Sequence, residues 1–215
     1  MSARDLPALD WLAQARLVPV IVLDDPMDAD PLADALLAGG IDCAEITFRT
    51  PAGPAAVAAL AHRDDLLVGA GTVLTAEQVD VAVAAGARFL VSPGLGLDVV
   101  ERARQHGVTV LPGVATATEL QAAVGAGLNA VKFFPAGQLG GLGMLDALAG
   151  PFPGMRFMPS GGVTEANAAE YLGHPSVFAV GASWMVPRGL IRAGDFASIT
   201  RLCRSAVGAL AVTHG

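Results

Sequence analysis

Lys132 is the only lysine among 215 residues, although twelve arginines are present. It stands in Asn129-Ala130-Val131-Lys132-Phe133-Phe134-Pro135, a stretch that is otherwise almost entirely apolar. Arginine can supply positive charge on any surface, but a guanidinium stays protonated and delocalised and cannot attack a carbonyl. A lysine kept inside an apolar strand therefore reads as a nucleophile. Burial penalises the charged form of an amine, and the neutral form adds to a ketone to give an iminium, an electron sink for breaking or making a carbon–carbon bond.

Glu45 is the matching carboxylate. In Glu45-Ile46-Thr47-Phe48-Arg49 the period of two places Glu45, Thr47 and Arg49 on one face of a strand. A carboxylate there can shuttle protons, and a guanidinium can grip a substrate carboxylate in two-point contact. A structural reading of the same residues, with Glu45 buried against Arg49 or Lys132 as an ion pair, stays open at this point.

Placing these groups together requires a repeated strand–helix unit. Apolar runs at 18–23, 44–48, 66–70, 89–92, 109–111, 130–134, 156–159 and 177–180 read as strands. Helical patterns at 28–38, 54–62, 75–85, 97–106, 116–126, 143–149, 164–172 and 195–210 alternate with them, several stopped by glycine. A leading amphipathic helix over 5–15 (Leu6, Leu9, Leu12) precedes the first strand as a plug or lid. Strands without polar alternation are covered on both faces, as in a parallel sheet. Eight such units predict a single (β/α)₈ TIM barrel over residues 1–215, somewhat below the typical length of about 250. A doubly wound open sheet fits less well, because no Gly-x-Gly-x-x-Gly turn follows the first strand.

In a parallel barrel the chemistry gathers at the carboxyl ends of the strands. Glu45 and Lys132, on strands two and six of eight, should face each other across the mouth. Gly71-Thr72 ends strand three, Ser92-Pro93-Gly94 strand four, and Phe134 shares a face with Lys132. Ser160-Gly161-Gly162 and Gly181-Ala182-Ser183 follow strands seven and eight, where barrels hold phosphate on backbone N–H groups. These loops contain no lysine or arginine, so dipoles and the Ser160 or Ser183 hydroxyls should do the holding.

Composition narrows the partners. A formal charge of −7 without a basic cluster argues against nucleic acid and anionic membrane, and 53% hydrophobic residues exclude a disordered chain. No apolar run approaches the roughly 20 residues of a membrane span, and Arg4, Asp5 and Asp10 interrupt any signal peptide, so a cytoplasmic protein is expected. Cys43 and Cys203 are isolated and read as buried thiols. His62, His106, His174 and His214 avoid strand ends, so no metal or other cofactor is expected. Trp184 reads as packing, and Asp24 and Asp25 as a solvated loop.

The motifs Val18-Pro19-Val20-Ile21, Glu45 to Thr50, Gly69 to Val73, Ser92-Pro93-Gly94, Lys132 to Ala136, Gly161-Gly162 and Gly181 to Trp184 together resemble the 2-keto-3-deoxy-6-phosphogluconate (KDPG) and 4-hydroxy-2-oxoglutarate (KHG) aldolase family. That resemblance implies a class I aldolase acting on a phosphorylated keto acid as a homotrimer. It places the Schiff base on Lys132 and proton shuttling on Glu45. Pyruvyl binding falls to Arg49, Thr72, Pro93 and Phe134, and phosphate binding to Ser160, Gly161, Gly162, Gly181 and Ser183. Two positions depart from the common pattern: Ser160 stands where threonine is frequent, and Gly137 where a larger residue is. Arg49-Thr50 resembles the gluconate branch more than the galactonate branch. A phosphate-binding isomerase or epimerase barrel, using Lys132 without a covalent bond, is the alternative class, and a non-catalytic barrel a third reading.

Overall fold

A computed structural model describes residues 7–212. The chain opens with α1 (Ala8–Ala15) and continues β1 (Leu17–Ile21), α2 (Ala29–Ala38), β2 (Cys43–Thr47), α3 (Gly53–Leu60), β3 (Leu67–Gly71), α4 (Ala76–Ala84), β4 (Phe89–Val91), α5 (Leu97–Gln105) and β5 (Thr109–Leu111). It goes on through β6 (Gly113–Val114), α6 (Ala117–Gly125), β7 (Ala130–Phe133), α7 (Gly141–Ala149), β8 (Arg156–Pro159), α8 (Ala168–Gly173), β9 (Val180–Ala182), α9 (Arg188–Arg192) and α10 (Phe196–Val212). Every residue of β1, β2, β3 and β4 is buried, which explains why these strands read as unbroken apolar runs.

The strand–helix alternation is as expected, but the hydrogen bonding divides it in two. One sheet has the order β5-β4-β3-β2-β1-β9 and a second β6-β7-β8, with every pair parallel. Strand β5 has the expected bounds 109–111, and Pro112, which has no N–H to give a ladder, separates it from β6, a short strand that the sequence reading did not include. The Pro112 carbonyl still accepts from Lys132 N at 2.9 Å. At the other seam two isolated bridges connect the β8 and β9 segments, Phe157 of β8 with Val177 ahead of β9 and Ser160 just after β8 with Gly181 of β9.

Three further boundaries differ from the sequence reading. The last strand is Val180–Ala182 and not 177–180, because Val180 N donates to Arg16 O at 2.8 Å and sets the register against β1. The helix expected from 164 starts at Ala168, since the Asn167 side chain accepts from Thr164 N and donates to Gly162 O, holding a turn there. Before α10 the chain forms the extra short helix α9, and Asp195 then accepts from Ser198 N at 3.0 Å as a cap.

Local signals set the other ends. Thr116 accepts from Glu119 N while Glu119 accepts from Ala115 N, a reciprocal cap on α6. Gly86 (φ 94°) and Gly107 (φ 67°) turn the chain out of α4 and α5 in a left-handed conformation costly for other residues. Phe89, Phe133 and Phe157 are fully buried in the core, where truncation to alanine costs about 3–5 kcal/mol. Helix α1 packs at the amino ends of the strands, with Arg88 stacked 5.0 Å from the Trp11 ring just before β4. Asp5 and Leu6, expected at its start, lie outside the described residues, as does His214. Cys43 and Cys203 are buried free thiols, and burial pushes Cys203 up to about 12. Among the described residues no helix is long and apolar enough to cross a membrane.

Candidate active site

The two strands that carry the candidate acid–base pair come from different sheets. Glu45 on β2 is flanked by Val20 of β1 and Gly69 of β3, and Lys132 on β7 by Gly113 of β6 and Met158 of β8. Their side chains meet: Lys132 Nζ lies 3.6 Å from Glu45 Oε1, with side-chain exposures of 5% and 1%. Neither Glu45 oxygen has a hydrogen-bond partner among the described residues. A buried carboxylate with one long contact to a lysine nitrogen is poorly compensated, which leaves its oxygens open to a further partner.

Glycine makes room for this approach. A Cβ on Gly71 would lie 2.2 Å from Glu45 Oε1 and 2.6 Å from its Cγ, so the Glu45 side chain crosses β3 where only a hydrogen fits. A Cβ on Gly113 would lie 2.1 Å from Pro93 O, so the loop after β4 presses on the strand beside Lys132. Pro93 thus lies against the strand next to Lys132 and outside the cavity wall described below.

Arg49 is exposed in the turn after β2, and its Nε donates to Thr72 Oγ1 at 3.4 Å. Thr72 holds φ 59°, a conformation that costs a β-branched residue about 1–3 kcal/mol and that clusters at functional sites. Thr47, on the same strand face as Glu45, is spent structurally: its hydroxyl donates to Ile21 O at 2.7 Å. The Phe134 ring lies 5.0 Å from Lys132 Nζ.

Phe134 also opens into a cavity of about 380 Å³, whose wall includes Arg49, Ser160, Gly161, Gly162, Gly181 and Ser183. Seven of the eleven residues singled out in the sequence thus share one wall. Glu45 and Lys132 lie behind it, joined to it through Phe134, while Thr72 reaches it through Arg49. The Ser160↔Gly181 bridge brings the two glycine loops side by side, and the Gly137 N–H donates to Gly161 O at 2.8 Å. A Cβ on Gly137 would stand 3.1 Å from Gly162 Cα, so the small residue lets its loop lie against the glycine pair. The N–H groups of Gly162 and Ser183 make no intramolecular hydrogen bond among the described residues, which leaves them for an anion.

The structure adds a cation and an ion pair that the glycine loops themselves do not carry. The glycine end does have a cation: Arg188, at the start of α9, lines the same cavity. Asp24 and Asp25 are exposed in the loop after β1, as expected, and Arg188 donates to both Asp24 oxygens, from Nε at 2.8 Å and from Nη2. That pairing holds the Asp24 carboxyl below the usual range. Asp25 instead accepts from Met27 N at 2.9 Å. His106 pairs with Asp80 and His174 with Asp146, both away from the cavity. Among the described residues no group of three or more His, Cys, Asp or Glu could hold a metal ion. Trp184 packs against the core.

Comparison with known proteins agrees with this arrangement. Residues 9–202 match the aldolase family described as KDPG and KHG aldolase. A 2-dehydro-3-deoxy-phosphogluconate aldolase of Treponema pallidum is 51% identical over 192 residues, 89% of this chain and 91% of that one. The KDPG aldolase of Legionella pneumophila, solved with pyruvate as a covalent carbinolamine intermediate, superposes with a TM-score of 0.89 at 42% identity, covering 94% of this chain and 98% of that one. The Zymomonas mobilis ZM4 enzyme, solved with 3-phosphoglycerate, gives 0.86 at 42% identity over 95% of each chain. On sequence and fold alike, this chain belongs to the KDPG and KHG aldolase family.

Proposed function

We propose that this protein is a Schiff-base lyase that cleaves 2-keto-3-deoxy-6-phosphogluconate to pyruvate and glyceraldehyde 3-phosphate. The observation that carries the reading is the 3.6 Å approach of Lys132 Nζ to Glu45 Oε1, both buried behind a cavity that presents Arg49. Lys132 Nζ adds to the keto carbon, and the carbinolamine loses water to give a protonated imine. Glu45 then takes the proton of the hydroxyl on the second carbon from the imine, as the bond between that carbon and the one next to the imine breaks. The electron pair passes into the iminium, the aldehyde leaves, and an enamine of pyruvate remains. Glu45 returns the proton to the enamine carbon, and water hydrolyses the imine, freeing pyruvate and Lys132. The pyruvate carbinolamine in the Legionella pneumophila relative is the species through which the last step, hydrolysis of the pyruvate imine, passes.

Arg49, steadied by Thr72, takes the substrate carboxylate, with Pro93 and Phe134 flanking the pyruvyl carbons. Ser160, Gly161, Gly162, Gly181 and Ser183 receive the phosphate. The same iminium serves 4-hydroxy-2-oxoglutarate, giving pyruvate and glyoxylate. We also read the chain as one domain and its two sheets as arcs of one (β/α)₈ ring. The continuous chain through Pro112 and the two bridges between the β8 and β9 segments support that closure. Assembly as a cytoplasmic homotrimer follows the family.

Pyruvate release from the phosphorylated keto acid, coupled to NADH oxidation by added lactate dehydrogenase, tests the reading. Sustained turnover is expected, and no pyruvate above the uncatalysed rate contradicts it.

A further inference from the structure

We infer that Arg188 is a specificity-determining residue, the cation that receives the substrate phosphate at the glycine-lined end of the cavity. The inference rests on the aldolase reading above. Arg188 lines the same cavity as Gly161, Gly162, Gly181 and Ser183, and the wall formed by Gly181 to Ser183 resumes at Val186 and runs on to Arg188. Its guanidinium therefore belongs to the glycine end. Arg49, the other arginine of the wall, follows β2 and bonds to Thr72 beyond β3, whereas Arg188 follows β9, and β1 stands between β2 and β9. One cavity thus carries two cations separated by a strand, which suits an acid with an anion at each end.

Asp24 occupies one edge of the guanidinium through Nε and Nη2, and Nη1 is left for a second anion. Arg192 Nε lies 3.9 Å from the same carboxylate, so Asp24 is shared between two arginines. Backbone N–H groups can cradle a phosphate, but they also accept a neutral oxygen. A guanidinium adds the charge that separates a phosphate from the hydroxyl it replaces.

The test compares Arg188→Gln and Arg188→Lys with the wild type on 2-keto-3-deoxy-6-phosphogluconate and on its unphosphorylated counterpart. The selectivity ratio, kcat/KM with phosphate over kcat/KM without, should fall about tenfold in R188Q, through KM and not kcat, as expected for losing one charge-assisted contact at a half-exposed side chain. R188K, which keeps the charge and loses the fork, should fall between. An unchanged ratio, or equal losses on both substrates, overturns the assignment. Titration with glycerol 3-phosphate gives a readout independent of turnover: R188Q should bind it about tenfold more weakly. Equal affinity overturns the assignment as well. If the wild type released no pyruvate from either acid, the aldolase reading would fail, and the glycerol 3-phosphate titration would still decide whether Arg188 holds a phosphate.

Discussion

Lys132 Nζ and Glu45 Oε1 stand 3.6 Å apart, and the rest of the Glu45 carboxylate meets no donor among the described residues. A purely structural ion pair buried this deeply is usually tightened by further hydrogen bonds, because desolvation is otherwise uncompensated. A long, incomplete pair fits a carboxylate that exchanges protons with a third group. Glu45→Gln, which keeps shape and removes the base, should lower kcat by about 10²- to 10⁴-fold while leaving KM within a few-fold. Steady-state cleavage of the phosphorylated keto acid measures this. A Gln variant with near wild-type kcat removes Glu45 from the mechanism.

Gly71 offers a test that touches neither reacting side chain. Its backbone needs no left-handed conformation, and the atoms nearest an added Cβ all belong to the Glu45 side chain, Oε1 at 2.2 Å and Cγ at 2.6 Å. Gly71→Ala should push that carboxyl aside and lower kcat about 100-fold, since a shift near 1 Å is enough for such a loss. Overpacking should also cost about 1–3 kcal/mol of stability, seen as a lower Tm. Gly143→Ala, where a Cβ meets nothing within 4 Å, is the control and should leave both unchanged or raise Tm slightly. Full activity in G71A would mean that the Glu45 position is not critical.

Acid stability should depend on a pair remote from the cavity. Hydrogen bonds from Arg102, and then from His106, lower Asp80 from 3.8 to about 2. A depressed carboxyl contributes stability that is fully present above its unfolded value and is lost as pH falls through the folded one. The Tm gap between wild type and Asp80→Asn should therefore hold steady above 3.8 and narrow between 3.8 and about 2. A gap that persists undiminished at the acid end assigns the stabilisation to something other than this charge.

Much of the site was legible before the structure. Lys132 and Glu45 stand out as ionisable groups in strands otherwise apolar, and the strand period together with the eightfold alternation places them face to face. Arg188 was not legible, because a turn after β9 carries it back to a cavity whose glycine loops lack cations, and its partner Asp24 is 164 residues away. The role of Gly71 depends on the lean of the Glu45 side chain, which no spacing rule reports. The break at Pro112 follows from chemistry visible in the sequence, a residue without an N–H inside an apolar run. The shift of the last strand does not, since 177–180 and Val180–Ala182 are both apolar and a carbonyl at Arg16 chooses between them.

The central claim is that Lys132 forms a covalent imine with the keto acid. Incubation with pyruvate and borohydride, followed by proteolysis and mass spectrometry, tests it most directly. The account predicts one reduced pyruvyl adduct per chain, located on Lys132 and absent from Lys132→Arg. A wild-type protein that turns over the substrate yet yields no adduct at Lys132 would contradict it.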